Sequence, residues 1–166
     1  ELDGTFQVSS AAAFTGSKSV RLQNSSSTTG NKDELISTTI DITTAPPVVF
    51  SFRYAYAKRS SANNDVLRVY ASRDCGDTWS LRRTLSGDAL VTAPITTGSF
   101  TPNGPGQWGY NETSPIGSLF IVSNLRFKFL FESDGGNNLW IDDINITGST
   151  TAVSELAGDA SNTLTV

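Results

Sequence analysis

The run LWIDDINI at 139–146 poses the sharpest chemical question in this sequence. Strand alternation places Trp140, Asp142, Ile144 and Ile146 on one face, which turns the Asp142 carboxylate toward the apolar side. An unpaired carboxylate there is costly, so a cation, a set of backbone N–H donors or a buried arginine has to answer it. Hard oxygen ligands without histidine or cysteine suit Ca2+ better than zinc. Candidate co-ligands are Asp33 and Glu34, or groups near Asp3 and Ser17. Asp143, on the opposite face, reads as solvent-facing or as capping the adjacent loop. A structural Ca2+ and a metal-free, hydrogen-bonded Asp142 both stay open at this point.

Aromatic residues offer a second chemistry, because pyranose faces pack on rings. Trp108 and Tyr110 border a long Gly/Pro-rich segment (86–107, ending near PNGPGQW) and are the candidate ligand-binding platform. Trp79 reads as hairpin cover and Trp140 as core. Paired carboxylates beside tryptophans permit glycosidase work in principle, but that needs a cleft and a defined separation. With sixteen acidic residues, some pair always looks suitable.

Absences narrow the field. The chain has no histidine, which removes the usual general base, the usual triad member and the usual zinc ligand. Its one cysteine, Cys75, excludes an internal disulfide and reads as a packed small residue rather than a nucleophile. Net charge is −4, and the basic residues are scattered, with only Lys58-Arg59 and Arg82-Arg83 adjacent. That pattern argues against nucleic acid as a partner. No apolar run is long enough to insert in a membrane, and no signal peptide is visible.

The elements that must position these residues are strands. Period-two alternation punctuated by Gly, Asn, Ser and Pro predicts strands at 4–8, 19–23, 34–42, 48–57, 65–72, 79–85, 108–112, 125–131 and 139–147. In 48–57, Val48, Phe50, Phe52, Tyr54 and Tyr56 share one face. A turn near Ala11–Phe14 is the one hint of helix. Residues 72–80 (SRDCGDTWS) place Ser72, Asp74, Gly76 and Trp79 at the Asp-box spacing Ser-x-Asp-x-Gly-x-x-Trp, a device that closes a β-hairpin. Asp74 can accept turn N–H groups, Gly76 can take positive φ, and Trp79 folds back over the hairpin. The expected fold is an all-β jelly-roll sandwich of two antiparallel sheets with about eight or more strands, over residues 1–147. Residues 148–166 read as a linker.

The ordered set DELIS (33–37), FSFRYAYA (50–57), LRVYASRDCGDTW (67–79) and RFKFLFESDGGNNLWIDDINI (126–146) resembles a jelly-roll domain found C-terminal to the catalytic domain in secreted bacterial metallopeptidases of the pappalysin type. It is similar also to the wider group of MAM-like and choice-of-anchor domains, which includes the cleaved adhesin modules of gingipains. The resemblance implies a secreted or cell-surface accessory or adhesive unit, often with bound Ca2+, and it places an acidic pair like Asp142-Asp143 near the ion. It also implies that 148–166 lead toward a C-terminal sorting domain for type IX secretion, absent here.

Taken together, the sequence predicts a non-catalytic binding module with a structural calcium site, acting in glycan or surface adhesion. Its partner would be a glycan or a cell-surface protein. The rival readings are a domain that docks on the catalytic part of a parent metallopeptidase, and a small glycoside hydrolase.

Overall fold

A computed structural model describes residues 6–44 and 48–148. It contains nine strands: β1 (Phe6–Ser9), β2 (Ser19–Leu22), β3 (Lys32–Ile36), β4 (Val48–Tyr56), β5 (Val66–Ser72), β6 (Ser80–Ser86), β7 (Gly109–Glu112), β8 (Arg126–Glu132) and β9 (Leu139–Gly148). They form a five-stranded sheet ordered β1-β2-β9-β4-β7 and a four-stranded sheet ordered β3-β8-β5-β6, with every strand pair antiparallel. The expected all-β sandwich is what the chain forms. The linker reading of the tail falls, beyond Gly148, outside the described residues.

Alternation drives this arrangement. In β4, Val48, Phe50, Phe52, Tyr54 and Tyr56 are buried on the face that meets the other sheet. In β8, Phe127, Phe129 and Phe131 do the same from across the sandwich. Phe50 stacks on Phe127 at 4.1 Å between ring centres, and Phe52 meets Phe129 edge-on at 4.9 Å. Each such ring contributes about 1.5–3 kcal/mol by leaving water, so these two strands anchor the core. Gly109 opens β7 against Tyr54. A Cβ there would lie 2.8 Å from the Tyr54 ring, so only glycine lets the edge strand close on β4.

The Ala11–Phe14 segment is not helical; it and the 93–108 segment lie over the outside of the five-stranded sheet. There they build a second apolar cluster from Ala55, Ala57, Ala93, Phe100, Trp108 and Trp140, with Ala12 and Phe14 packed alongside. One face of that sheet is therefore covered as well as the face toward the main core.

Asp65, read at first as the start of a strand, is a buried polar hub. Its Oδ1 accepts from Asn24 Nδ2 (2.8 Å), Asp134 N (3.0 Å) and Gly136 N (3.2 Å), and its Oδ2 accepts from the Tyr56 hydroxyl (2.6 Å). Burial, reinforced by the hydrogen bond to Asp65, pushes the Tyr56 phenol far above its ordinary value. Asn137 and Asn138 extend the network: Asn137 Nδ2 donates to the carbonyls of Thr96 and Gly98, and Asn138 Nδ2 donates to the carbonyl of Phe100. The segment Ser133–Asn138 thus ties three loops together at one end of the sandwich.

Candidate functional site

The LWIDDINI strand departs from simple alternation. Leu139 and Ile141 are in the main core and Trp140 belongs to the outer cluster, but the β4–β9 register shifts between Ser51 and Arg53, and Asp143 takes φ 45°. This bulge separates the four residues that alternation had placed on one face: Trp140 packs outside the sheet, while Ile146 packs against the main core. Asp142 lies in the row of Trp140, beneath the 10–18 loop. Its Oδ2 accepts from the backbone N–H of Phe14 (2.6 Å) and Thr15 (3.3 Å), and its Oδ1 from Asp143 N (2.8 Å). Backbone donors, one of the three ways to satisfy this carboxylate, are in place. Asp143 accepts from the Thr15 hydroxyl and so caps that loop.

Asp33 and Glu34 are on β3, in the other sheet, and Glu34 Oε1 is bonded to Lys128 Nζ at 2.7 Å. Among the described residues no three His, Cys, Asp or Glu side chains converge. The set Asp142, Asp143, Asp33 and Glu34 does not fit one calcium ion, and nothing below depends on one.

Trp108 and Tyr110 part company. Trp108 is buried, edge-on to Phe14 at 6.2 Å, so it is not the open platform expected of it. It contributes instead to a groove of about 430 Å³ between Ala11–Phe14 and Pro102–Pro105. Tyr110 is 53 % exposed. Its hydroxyl donates to Glu112 Oε2, and Arg53 is held between the Tyr110 and Phe14 rings, 4.9 and 4.3 Å from their centres.

The hairpin motif forms as its spacing predicts. Ser72 Oγ donates to Asp74 Oδ1 (2.7 Å) and accepts from Gly76 N (2.8 Å), while Thr78 N and the Thr78 hydroxyl both donate to Asp74. Those donors, Thr78 and Ser72 foremost, hold the Asp74 carboxyl down to about 2. Gly76 has φ 103°. Cys75, expected to be packed, is exposed with φ 61° at the hairpin tip, because the turn needs left-handed backbone there and leaves its side chain outside.

The motif does more than close a turn, since it sets Trp79 against the outer face of the four-stranded sheet. That face is spelled by the residues between the core positions of β8 and β5: Arg126, Lys128, Leu130 and Glu132, then Val66, Arg68 and Tyr70. Register adds Lys32, Glu34 and Ile36 from β3. Among the described residues no apolar cluster covers these side chains, in contrast to the opposite sheet. Lys128 Nζ lies between two rings, 4.6 Å from the centre of Trp79 and 5.4 Å from that of Tyr70. Glu132 binds Lys32 at 2.8 Å and also Arg68. Hydrogen bonds from Lys32 and Arg68 hold its carboxyl below the usual range.

This arrangement can stack, donate and accept hydrogen bonds. It is poorly suited to hydrolysis. A glycosidase acid must keep its proton at neutral pH, whereas Glu132 is pushed the other way and Glu34 is tied to an ammonium. The reading from sequence missed this face. Its signal was present in RFKFLFE, whose polar half alternates with a core half and is charged throughout except for Leu130.

No protein-family model matches this chain, and no curated protein matches it. Solved structures do. The carbohydrate-binding module TmCBM61, solved in complex with beta-1,4-galactotriose, is 15 % identical with a TM-score of 0.52, over 89 % of this chain and 87 % of that one. A two-module fragment of Clostridium thermocellum xylanase Xyn10B, complexed with xylohexaose, gives a TM-score of 0.54 at 12 % identity, over 89 % of this chain and 25 % of that one. The K2 cleaved adhesin domain of Lys-gingipain is 18 % identical with a TM-score of 0.52, over 85 % and 78 % of the two chains. At such identities the likeness is one of fold. This chain is a β-sandwich of the architecture found in carbohydrate-binding modules and in a cleaved adhesin domain.

Proposed function

We propose that this chain is a non-catalytic glycan-binding module of a secreted or surface protein, and that the glycan lies across the outer face of the four-stranded sheet. The observation that carries this reading is the half-buried row of Trp79, Lys128 and Tyr70, on a face that no second apolar cluster covers among the described residues, flanked by Glu34, Arg68 and Glu132. Rings supply stacking surface for a pyranose, and the charged neighbours supply fixed donors and acceptors for its substituents. The solved structures alike in fold include a carbohydrate-binding module complexed with a galactotriose and a fragment joining such a module to a GH10 module, complexed with xylohexaose, which supports a glycan as the ligand class. The likeness to an adhesin domain supports the same extracellular setting.

Affinity electrophoresis and calorimetry on a panel of soluble polysaccharides test it. Binding is expected in the millimolar-to-micromolar range commonplace for exposed sites, with Trp79→Ala weakening it about tenfold, as loss of one ring contact worth roughly 1–1.5 kcal/mol requires. A panel without any binder would sink the reading.

Tyr110 supports a second one, in which the ligand meets the Tyr110–Arg53–Phe14 stack on the opposite sheet. Loss of binding in Tyr110→Ala with full retention in Trp79→Ala would select it. The accessory role beside a metallopeptidase stands as a further alternative, tested by deleting this domain from its parent protein and assaying the peptidase.

A further inference from the structure

The outer face of the four-stranded sheet is cationic in a protein that is anionic as a whole. The chain carries a net charge of −4, yet the strand positions of this face set Lys32, Arg68, Arg126 and Lys128 against Glu34 and Glu132, with Arg73, Asp74 and Asp77 on the adjoining hairpin. Lys128 is matched by Glu34, but Glu132 serves Lys32 and Arg68 at once, which leaves that trio one positive charge in surplus. Arg126 has no carboxylate in ion-pair range among the described residues. Its Nη1 donates to the Cys75 carbonyl at 3.0 Å, and its Nε is buried with no acceptor. The guanidinium packs by Gly76, where a Cβ would meet Trp79 at 3.3 Å and Arg126 Nη1 at 3.4 Å. Arg126 therefore borders the Trp79 ring, and the other surplus cation lies toward the Glu132 end of the same face.

A neutral glycan covering this face would strip water from those cations and return only hydroxyl groups. A carboxylate returns charge-assisted hydrogen bonds, about twice as strong as neutral ones, and meets an arginine with two parallel contacts. Resting on the glycan reading above, we propose that the ligand is an acidic glycan whose uronate carboxylates are received by Arg126 and Arg68 while its rings stack on Trp79 and Tyr70.

The test uses matched pairs. Oligogalacturonate, oligoalginate and oligoglucuronate are each compared with their carboxyl-reduced twins by calorimetry, with dextran sulfate as a probe of charge alone. At least one uronate is expected to bind ten or more times tighter than its reduced form, and to weaken as salt rises from low to physiological strength and beyond. Arg126→Gln and Arg68→Gln are expected to shrink that preference several-fold. The second variant keeps the test sound if the first disturbs the hairpin. Equal affinity for acid and reduced forms, or binding of neutral polymers alone, would overturn the acidic assignment and spare the glycan reading. Dextran sulfate binding as tightly as the best uronate would overturn the carboxylate assignment. No binding to any of them, with none on the wider panel, would overturn both.

Discussion

Replacing Tyr56 by phenylalanine tests whether the buried hub at the end of the sandwich is a stabilising device. The change removes the donor 2.6 Å from Asp65 Oδ2, the one hydrogen bond that this oxygen accepts among the described residues, together with the acceptor that the hydroxyl offers the Asn137 backbone N–H. The ring keeps its place in the core, 6.2 Å from Phe131. A hydrogen bond to a buried carboxylate is worth about 1.5–3 kcal/mol. For a domain of this size that is a fall in melting temperature of roughly 4–10 °C. Asp65→Ala is harsher, because Tyr56, Asn24 and the N–H groups of Asp134 and Gly136 all lose their acceptor. At about 1–3 kcal/mol per stranded donor, its cost reaches about 4 kcal/mol or more. Urea unfolding of both variants and the double variant gives the coupling directly, and it should equal about 1.5–3 kcal/mol. The pH dependence has a definite sign. Tyr56 has its pKa raised above the ordinary value of 10.0, so the folded form holds a proton that the unfolded chain releases. This contribution is complete below pH 10 and is lost as pH climbs beyond it, with a slope of up to about 1.4 kcal/mol per pH unit. Tyr56→Phe should flatten part of that alkaline limb. A coupling near zero together with an unchanged alkaline slope would refute the reasoning.

Three more outcomes are expected. Gly136→Ala would place a Cβ 2.1 Å from the Tyr56 hydroxyl and 2.3 Å from Asp65 Oδ2, so it should cost at least about 2–3 kcal/mol or fail to fold, measured by thermal melting. The Asp74 carboxyl should titrate near 2 when followed by NMR, and in Thr78→Val its midpoint should rise, since the Thr78 hydroxyl is its foremost holding donor while the backbone N–H remains; stability it contributes is present above the ordinary value of 3.8 and is lost as pH falls through about 2. Asp142→Ala should loosen the 10–18 loop by about 1–3 kcal/mol, measured by thermal melting, because it strands the backbone N–H groups of Phe14 and Thr15.

Much of the architecture was legible. β8 alternates without interruption, and both strands carry buried aromatics at every second position, in β4 from Phe50 onward, so their inner faces could be read off directly. The hairpin motif was equally plain, because each of its residues acts on a neighbour within a few positions. What escaped notice was non-local. The bulge at Asp143 reflects pairing with β4, which no pattern within β9 records. ESDGGNN has the composition of a solvated turn, yet Gly135–Asn138 are buried, since polar side chains that satisfy one another look like loop residues in sequence. Trp108 escaped its expected role for a related reason. Whether a ring is covered depends on where the 93–108 segment lies, and that segment crosses one sheet and leaves the other bare.

The ammonium of Lys128 is clasped by two rings and a carboxylate before any ligand arrives, with only 12 % of the side chain exposed. A free lysine on a surface samples many rotamers and loses that freedom when it grips a guest. Here folding has already frozen the lysine, so a guest on the proposed face would have little motion left to quench at this point. Specificity at this position then resides in shape that exists beforehand, and relaxing it, as Tyr70→Ala would, should make recognition slower to discriminate between similar guests before it makes it weak.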